Sequence, residues 1–169
     1  RPGAVVRIGG ISLANLDDVL EAGARALAPA HVKLTFVDNR EWETNNILLS
    51  LACARAELDA PAYLTYSDII FTPPVTRALA AAPGTIDLVI DADFRDIYVG
   101  RTLHPLEEGE VSDLDDAGRV KRVGKKSLPP EEAHGEFIGL MRMVGDGVGA
   151  VTRTLDEALA RYAGREEEP

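Results

Sequence analysis

The stretch Tyr63-Leu64-Thr65-Tyr66-Ser67-Asp68-Ile69-Ile70-Phe71 governs how the rest of the chain is read. It is apolar and β-branched enough for a buried strand over 62–71, yet a polar pair, Ser67-Asp68, interrupts it. Burying a carboxylate is costly unless a partner compensates its charge. At the C-terminal end of a parallel strand, where open α/β sheets bind ligands, the natural partner of Asp68 is a metal ion. The competing use of Asp68 is to cap the turn that follows the strand.

Upstream, Pro61 closes a helix read over 45–58, where Ile47, Leu48, Leu51, Arg55 and Leu58 fall at helical spacing and Thr44 stands as N-cap. Before it come a strand over 31–37, a helix over 13–27 and a short β-branched strand over 4–8 ended by Gly9-Gly10. Downstream, Pro73-Pro74 opens a helix over 75–82, and Pro83-Gly84 turns into a mostly apolar strand over 85–90. Strands over 96–101 and 119–123 flank an acidic stretch, 107–116. A strand over 136–144 and an amphipathic helix over 148–162 complete the order. Strands alternating with helices predict a single α/β domain with a mostly parallel sheet covered on both faces.

Composition narrows the function classes. The chain has 169 residues, 46% hydrophobic and 27% charged, an ordinary globular balance. Acidic residues outnumber basic ones 28 to 18, and the net charge of −10 opposes attraction to a nucleic-acid backbone or an anionic membrane. One cysteine, Cys53, excludes an intrachain disulfide and a cysteine-based zinc cage. The apolar runs are strand-sized and the first residues carry no secretory pattern, so the expected setting is cytoplasmic.

Four further segments could carry chemistry. Asp91-Ala92-Asp93 ends an apolar strand with two hard oxygen donors, suited to Mg²⁺ on a diphosphate. Thr44-Asn45-Asn46 opens a helix, where amides and free N–H groups hold an anion or read a base edge; a solvated cap is the plainer use. Gly124-Lys125-Lys126 follows a strand and could neutralise a phosphate, or be a solvated loop. His134-Gly135-Glu136 opens the next strand, while His31, His104 and His134 are too scattered for a metal triad. No serine-hydrolase, thiol-redox or P-loop pattern is present.

In order along the chain, Trp42-Glu43-Thr44-Asn45-Asn46, Tyr66-Ser67-Asp68-Ile69-Ile70-Phe71, Tyr98-Val99-Gly100-Arg101, Gly124-Lys125 and Glu132-Ala133-His134-Gly135-Glu136-Phe137-Ile138-Gly139 resemble nucleotidyltransferases of the phosphocholine cytidylyltransferase type. The stretches from Tyr98 to His104-Pro105 and around His134 are similar to the branch linked to phosphoenolpyruvate mutase, whose members transfer CMP to a phosphonate. The resemblance runs from about Pro2 to Tyr162. It implies a three-layer Rossmann-like fold and a Mg²⁺-dependent reaction of CTP with a phosphonate or phosphate acceptor, releasing pyrophosphate. A fused mutase domain is a possible companion.

Carried over motif by motif, Asp68 becomes the metal ligand beneath the α-phosphate, and Lys125 meets the acceptor's phosphoryl group. Thr44, Asn45 and Asn46 lie at the nucleotide or acceptor cleft, and Glu136 lines the acceptor pocket. Ser67, Asp93 and His134 are the remaining nucleotide- or substrate-binding candidates. The family's glycine-rich loop and its last strand, with a second metal-binding aspartate, have no counterpart within these residues, so the sequence is expected to be part of a larger protein. The rival readings are a phosphocholine or other phosphorylated-alcohol cytidylyltransferase, a nucleotide-sugar glycosyltransferase using Asp91 and Asp93, and a non-catalytic nucleotide-binding domain.

Overall fold

A computed structural model describes residues 5–11, 16–41, 44 and 47–162. The chain is mixed α/β and divides into two compact units, residues 1–60 with 148–169, and residues 61–147.

In the first unit, β1 (Val5–Ile11) and β2 (Lys33–Asn39) pair in parallel, from Val5 opposite Lys33 to Ile11 opposite Asn39. Helix α1 (Leu16–Leu27) makes the crossover that a parallel pair requires. Arg25 on α1 reaches the Phe36 ring of β2, 4.6 Å from its centroid. Helix α2 (Ile47–Cys53) and a 3₁₀ turn (Arg55–Glu57) follow. Asn39 is buried at the end of β2, where its amide donates to Ser50 Oγ at 2.8 Å and its Oδ1 accepts the Glu41 N–H at 3.1 Å. The last helix, α5 (Asp146–Tyr162), lies in this unit from Val148 onward. Arg55 grips its Asp156 through two hydrogen bonds of 2.8 and 2.9 Å.

The second unit is an antiparallel sheet of five strands: β3 (Ala62–Thr65), β4 (Ile86–Asp91), β5 (Glu110–Leu114), β6 (Val120–Lys125) and β7 (Gly135–Met143). Glu136 pairs with Asp91 on one side and Val111 on the other, and Met143 pairs with both Ile86 and Ala62. Strand β4 therefore runs along one edge of β7, while β3 and β5 share the other edge end to end. Strand β6 pairs with β5 on its outer side. Helices α3 (Pro73–Ala81) and α4 (Phe94–Ile97) fill the connections. Phe94, Val111, Leu128 and Ala133 form a buried cluster with Tyr98 and Leu106 packed against it.

The mostly parallel Rossmann-like sheet is thereby corrected: among the described residues only β1 and β2 pair in parallel. Strands β3 and β4 do run the same way, but β7 lies between them in the opposite sense. An apolar run reports that a strand is covered on its faces, a condition that an antiparallel strand meets as well as a parallel one. Local corrections follow the same logic. Strand β3 stops at Thr65 and Ser67-Asp68 form a turn, so Ile69 to Phe71 lie outside it and Ile70 is fully exposed. Residues 96–101 form the end of α4 and a turn closed by Gly100 at φ +79°, not a strand. The acidic stretch contains β5, whose Val111 and Ser112 are buried.

Candidate functional site

Strand β3 ends and β5 begins beside the middle of β7, and the gap between them organises the site. Tyr66, the residue after β3, donates its backbone N–H to the Gly139 carbonyl at 2.8 Å, so it is the last residue tied to β7 before the chain turns away. Its ring lies over Gly139, where an added Cβ would stand only 2.1 Å from Cδ2, and Gly139 itself has φ +81°. The ring also meets Phe137 edge to face, centroids 6.1 Å apart. Its hydroxyl donates to Glu110 Oε2 at 3.0 Å across the gap. Burial first, then the Glu110 carboxylate and the charge of Asp68, push the Tyr66 hydroxyl up to about 12.

Two residues past this anchor, Ser67 and Asp68 stand exposed in the turn. Cross-strand register carries the same face outward. Lys125 at the end of β6 lies opposite Glu110, and residues opposite one another in an antiparallel pair share a face. Lys125 and Lys126 are exposed and neither has an ion-pair partner among the described residues. The turn presenting them is held by the Ser127 N–H on the Gly124 carbonyl (3.3 Å) and the Ser127 hydroxyl on the Val111 carbonyl (3.1 Å). Lys126 adopts φ +56°, the one non-glycine residue in the left-handed region among those described.

The opposite face of the same strands carries a second group. Glu136 lies directly opposite Asp91, and its Oε1 accepts the Tyr98 hydroxyl at 2.5 Å. Burial and this bond push Tyr98 up to about 12. The Arg101 guanidinium lies 5.3 Å over the Tyr98 ring. His134 Nδ1 accepts the Leu114 N–H at 3.2 Å and stands 3.4 Å from Asp113, which also faces Arg122 at 3.3 Å. Arg95 donates to the carbonyls of Pro130 (2.6 Å) and Ala133 (2.9 Å), fixing the chain just before His134. Asp93 is exposed, and its backbone N–H donates to Asp91 Oδ1 at 2.9 Å, so this pair of carboxylates forms a turn into α4.

Register thus puts Lys125 with Glu110, the acceptor of the Tyr66 hydroxyl, on one face and Glu136 and Asp91, with His134 beside Asp113, on the other, while Asp68 stands exposed in the turn after Tyr66. Thr44 belongs to the other unit, and its hydroxyl donates to the Glu41 carbonyl at 3.1 Å. That bond closes a turn after β2. Asn45 and Asn46 lie outside the described residues. Glu110 and its bond to Tyr66 were not marked by the sequence; only the hairpin register of β5 and β6 identifies Glu110 as Lys125's neighbour. Among the described residues no three His, Cys, Asp or Glu side chains form a metal cage, and no helix is long and apolar enough to cross a membrane. No family model matches the chain, and no curated protein matches it in sequence.

Proposed function

We propose that this chain is the nucleotidyltransferase domain of a Mg²⁺-dependent cytidylyltransferase that transfers CMP from CTP to a small phosphonate. The observation that carries the reading is the hydrogen bond from Tyr66 to Glu110, which links the turn that bears Asp68 to the hairpin in which Lys125 stands opposite Glu110. Two of those residues come from motifs far apart in the sequence, and they supply the two charges such a reaction needs. An oxygen of the acceptor attacks the α-phosphorus of CTP, a new P–O bond forms, and the bond to the β-phosphate breaks to release pyrophosphate. Such a transfer is helped by positioning and charge neutralisation more than by covalent catalysis.

Mg²⁺ fits the residues present. It retains several waters and is held by one or two carboxylates together with substrate phosphates, so a lone exposed aspartate at a strand end suits it and a closed cage is not needed. Asp68 would hold it, and the ion would supply charge neutralisation on the triphosphate. Lys125 faces the acceptor's phosphoryl group, which a chain of net charge −10 would otherwise repel. Glu136, held by Tyr98, and His134, beside Asp113, lie on the other face of β7, so the acceptor contact is assigned to Lys125. Ser67 and Asp93 would face the nucleotide. A CTP-consuming step of this kind belongs in the cytoplasm, beside a mutase that supplies the phosphonate.

Phosphocholine or another phosphorylated alcohol is the nearest alternative acceptor. The glycosyltransferase reading is weaker, because Asp91 Oδ1, one of its four carboxylate oxygens, already accepts the Asp93 N–H. A pyrophosphate-release assay tests the proposal: each of the four NTPs is offered with Mg²⁺ against a panel of phosphonates and phosphocholine. Release with CTP and a phosphonate is expected. Equal release from all four nucleotides, or none, overturns it.

A further inference from the structure

Tyr66 is bound on four sides before the chain reaches Asp68. Its N–H is tied to Gly139, its ring is seated on Gly139 and against Phe137, and its hydroxyl is held by Glu110. After it, Ser67 and Asp68 are exposed in a turn beyond the end of β3. The direction in which Asp68 leaves the sheet is therefore set at Tyr66. The hydroxyl bond spans the gap between the two strands that share one edge of β7, joining the end of β3 to the start of β5. Strand β5 in turn fixes β6, and so Lys125.

We propose that Tyr66 is a positioning residue: through Glu110 it holds Asp68 and the Lys125 hairpin in one arrangement, so that the metal ligand and the acceptor-binding cation keep a fixed separation. The inference rests on the cytidylyltransferase reading. Gly139 is part of the same device, since any side chain there would expel the ring. Tyr66 touches neither nucleotide nor acceptor in this account. Its effect is felt in how readily Asp68 takes up Mg²⁺, and much less in turnover once Mg²⁺ is saturating.

The test compares the full-length protein with Tyr66→Phe, which keeps the ring on Gly139 and Phe137 but loses the bond to Glu110. Two quantities are read. One is the rate of thermolysin cleavage within residues 68–71, located by mass spectrometry, which needs no ligand. The other is the Mg²⁺ concentration for half-maximal CTP-dependent pyrophosphate release, with kcat at saturating Mg²⁺. Loss of one hydrogen bond to a charged acceptor corresponds to about a tenfold effect. Tyr66→Phe is expected to speed cleavage and raise the Mg²⁺ requirement about tenfold, with kcat within about twofold. Glu110→Gln, which can still accept the hydroxyl, should restore neither loss when added to Tyr66→Phe and should by itself change both far less. Unchanged cleavage, or an unchanged Mg²⁺ requirement, overturns the inference while leaving the functional reading intact. Faster cleavage in a protein whose wild type never releases pyrophosphate from CTP overturns the functional reading, and the inference with it.

Discussion

Replacing Gly139 by alanine tests the packing at the centre of the site. The new methyl carbon would lie 2.1, 2.3 and 2.8 Å from three carbons of the Tyr66 ring, against about 3.5–4.0 Å for carbons in contact. The ring must move by more than 1 Å or swing out, and overpacking of this kind costs about 1–3 kcal/mol. The backbone adds to this, because φ is +81° and an L-residue in the left-handed region costs about 1–2 kcal/mol. Together they come to about 3 kcal/mol, a drop in Tm of roughly 6–12 °C for a chain of this size. The two parts separate in a Tyr66→Ala background. With the ring gone the three nearest clashing atoms are removed, and the backbone part of about 1–2 kcal/mol remains. Chemical denaturation of wild type, both single variants and the double variant gives the coupling. A Gly139→Ala cost that is the same in both backgrounds would refute the claim that this glycine exists to seat Tyr66.

Asp68→Asn in the full-length protein should abolish CTP-dependent pyrophosphate release even at saturating Mg²⁺ while leaving Tm nearly unchanged, since the side chain is exposed; steady-state assay and a thermal melt together check it. Lys125→Ala should raise the acceptor KM about tenfold with calorimetric CTP affinity unchanged, the loss being limited because Lys126 is adjacent; a collapse of CTP affinity with an unchanged acceptor KM would move Lys125 to the triphosphate. Tyr66 and Tyr98 have hydroxyls raised to about 12 in the folded chain against about 10 when unfolded, so both favour the folded state below pH 10. That stabilisation is lost as pH rises from 10 to 12. Phenolate absorbance should show two of the four tyrosines ionising near pH 12, and Tyr66→Phe with Tyr98→Phe should remove that phase.

The sequence made the elements legible and their directions illegible. The apolar run at 86–91 and the long amphipathic helix ending at Tyr162 are where periodicity puts them, within a residue or two. Nothing in Leu88, Val89 or Ile90 tells a parallel neighbour from an antiparallel one, because both demand cover on two faces. Strand β5 carries no local signal because only Val111 and Ser112 are buried within a stretch rich in Asp and Glu. Residues 96–101 misled in the other direction: Ile97, Tyr98 and Val99 favour strands, but α4 and the left-handed Gly100 turn the chain there.

The candidate site was legible as single charges and not as a group. Asp68 interrupts an apolar run and Lys125 ends a strand, which marks them individually. What links them is the bond from Tyr66 to Glu110 and the register of β5 with β6, which no local pattern encodes. The hydrogen bond from Tyr66 to Glu110 links residues 44 apart. His134 and Glu136, close in sequence to the same motifs, fall on the other side of β7 because side chains alternate along a strand.

The most direct measurement is ³¹P NMR of the full-length protein incubated with CTP, Mg²⁺ and each phosphonate in turn. The account predicts that with one phosphonate the CTP signals decline while pyrophosphate and a coupled phosphonate–phosphate anhydride pair grow in equal amounts, and that Asp68→Asn stops both. CTP that stays intact with every acceptor, or that yields only CMP or CDP with no anhydride signal, would contradict it.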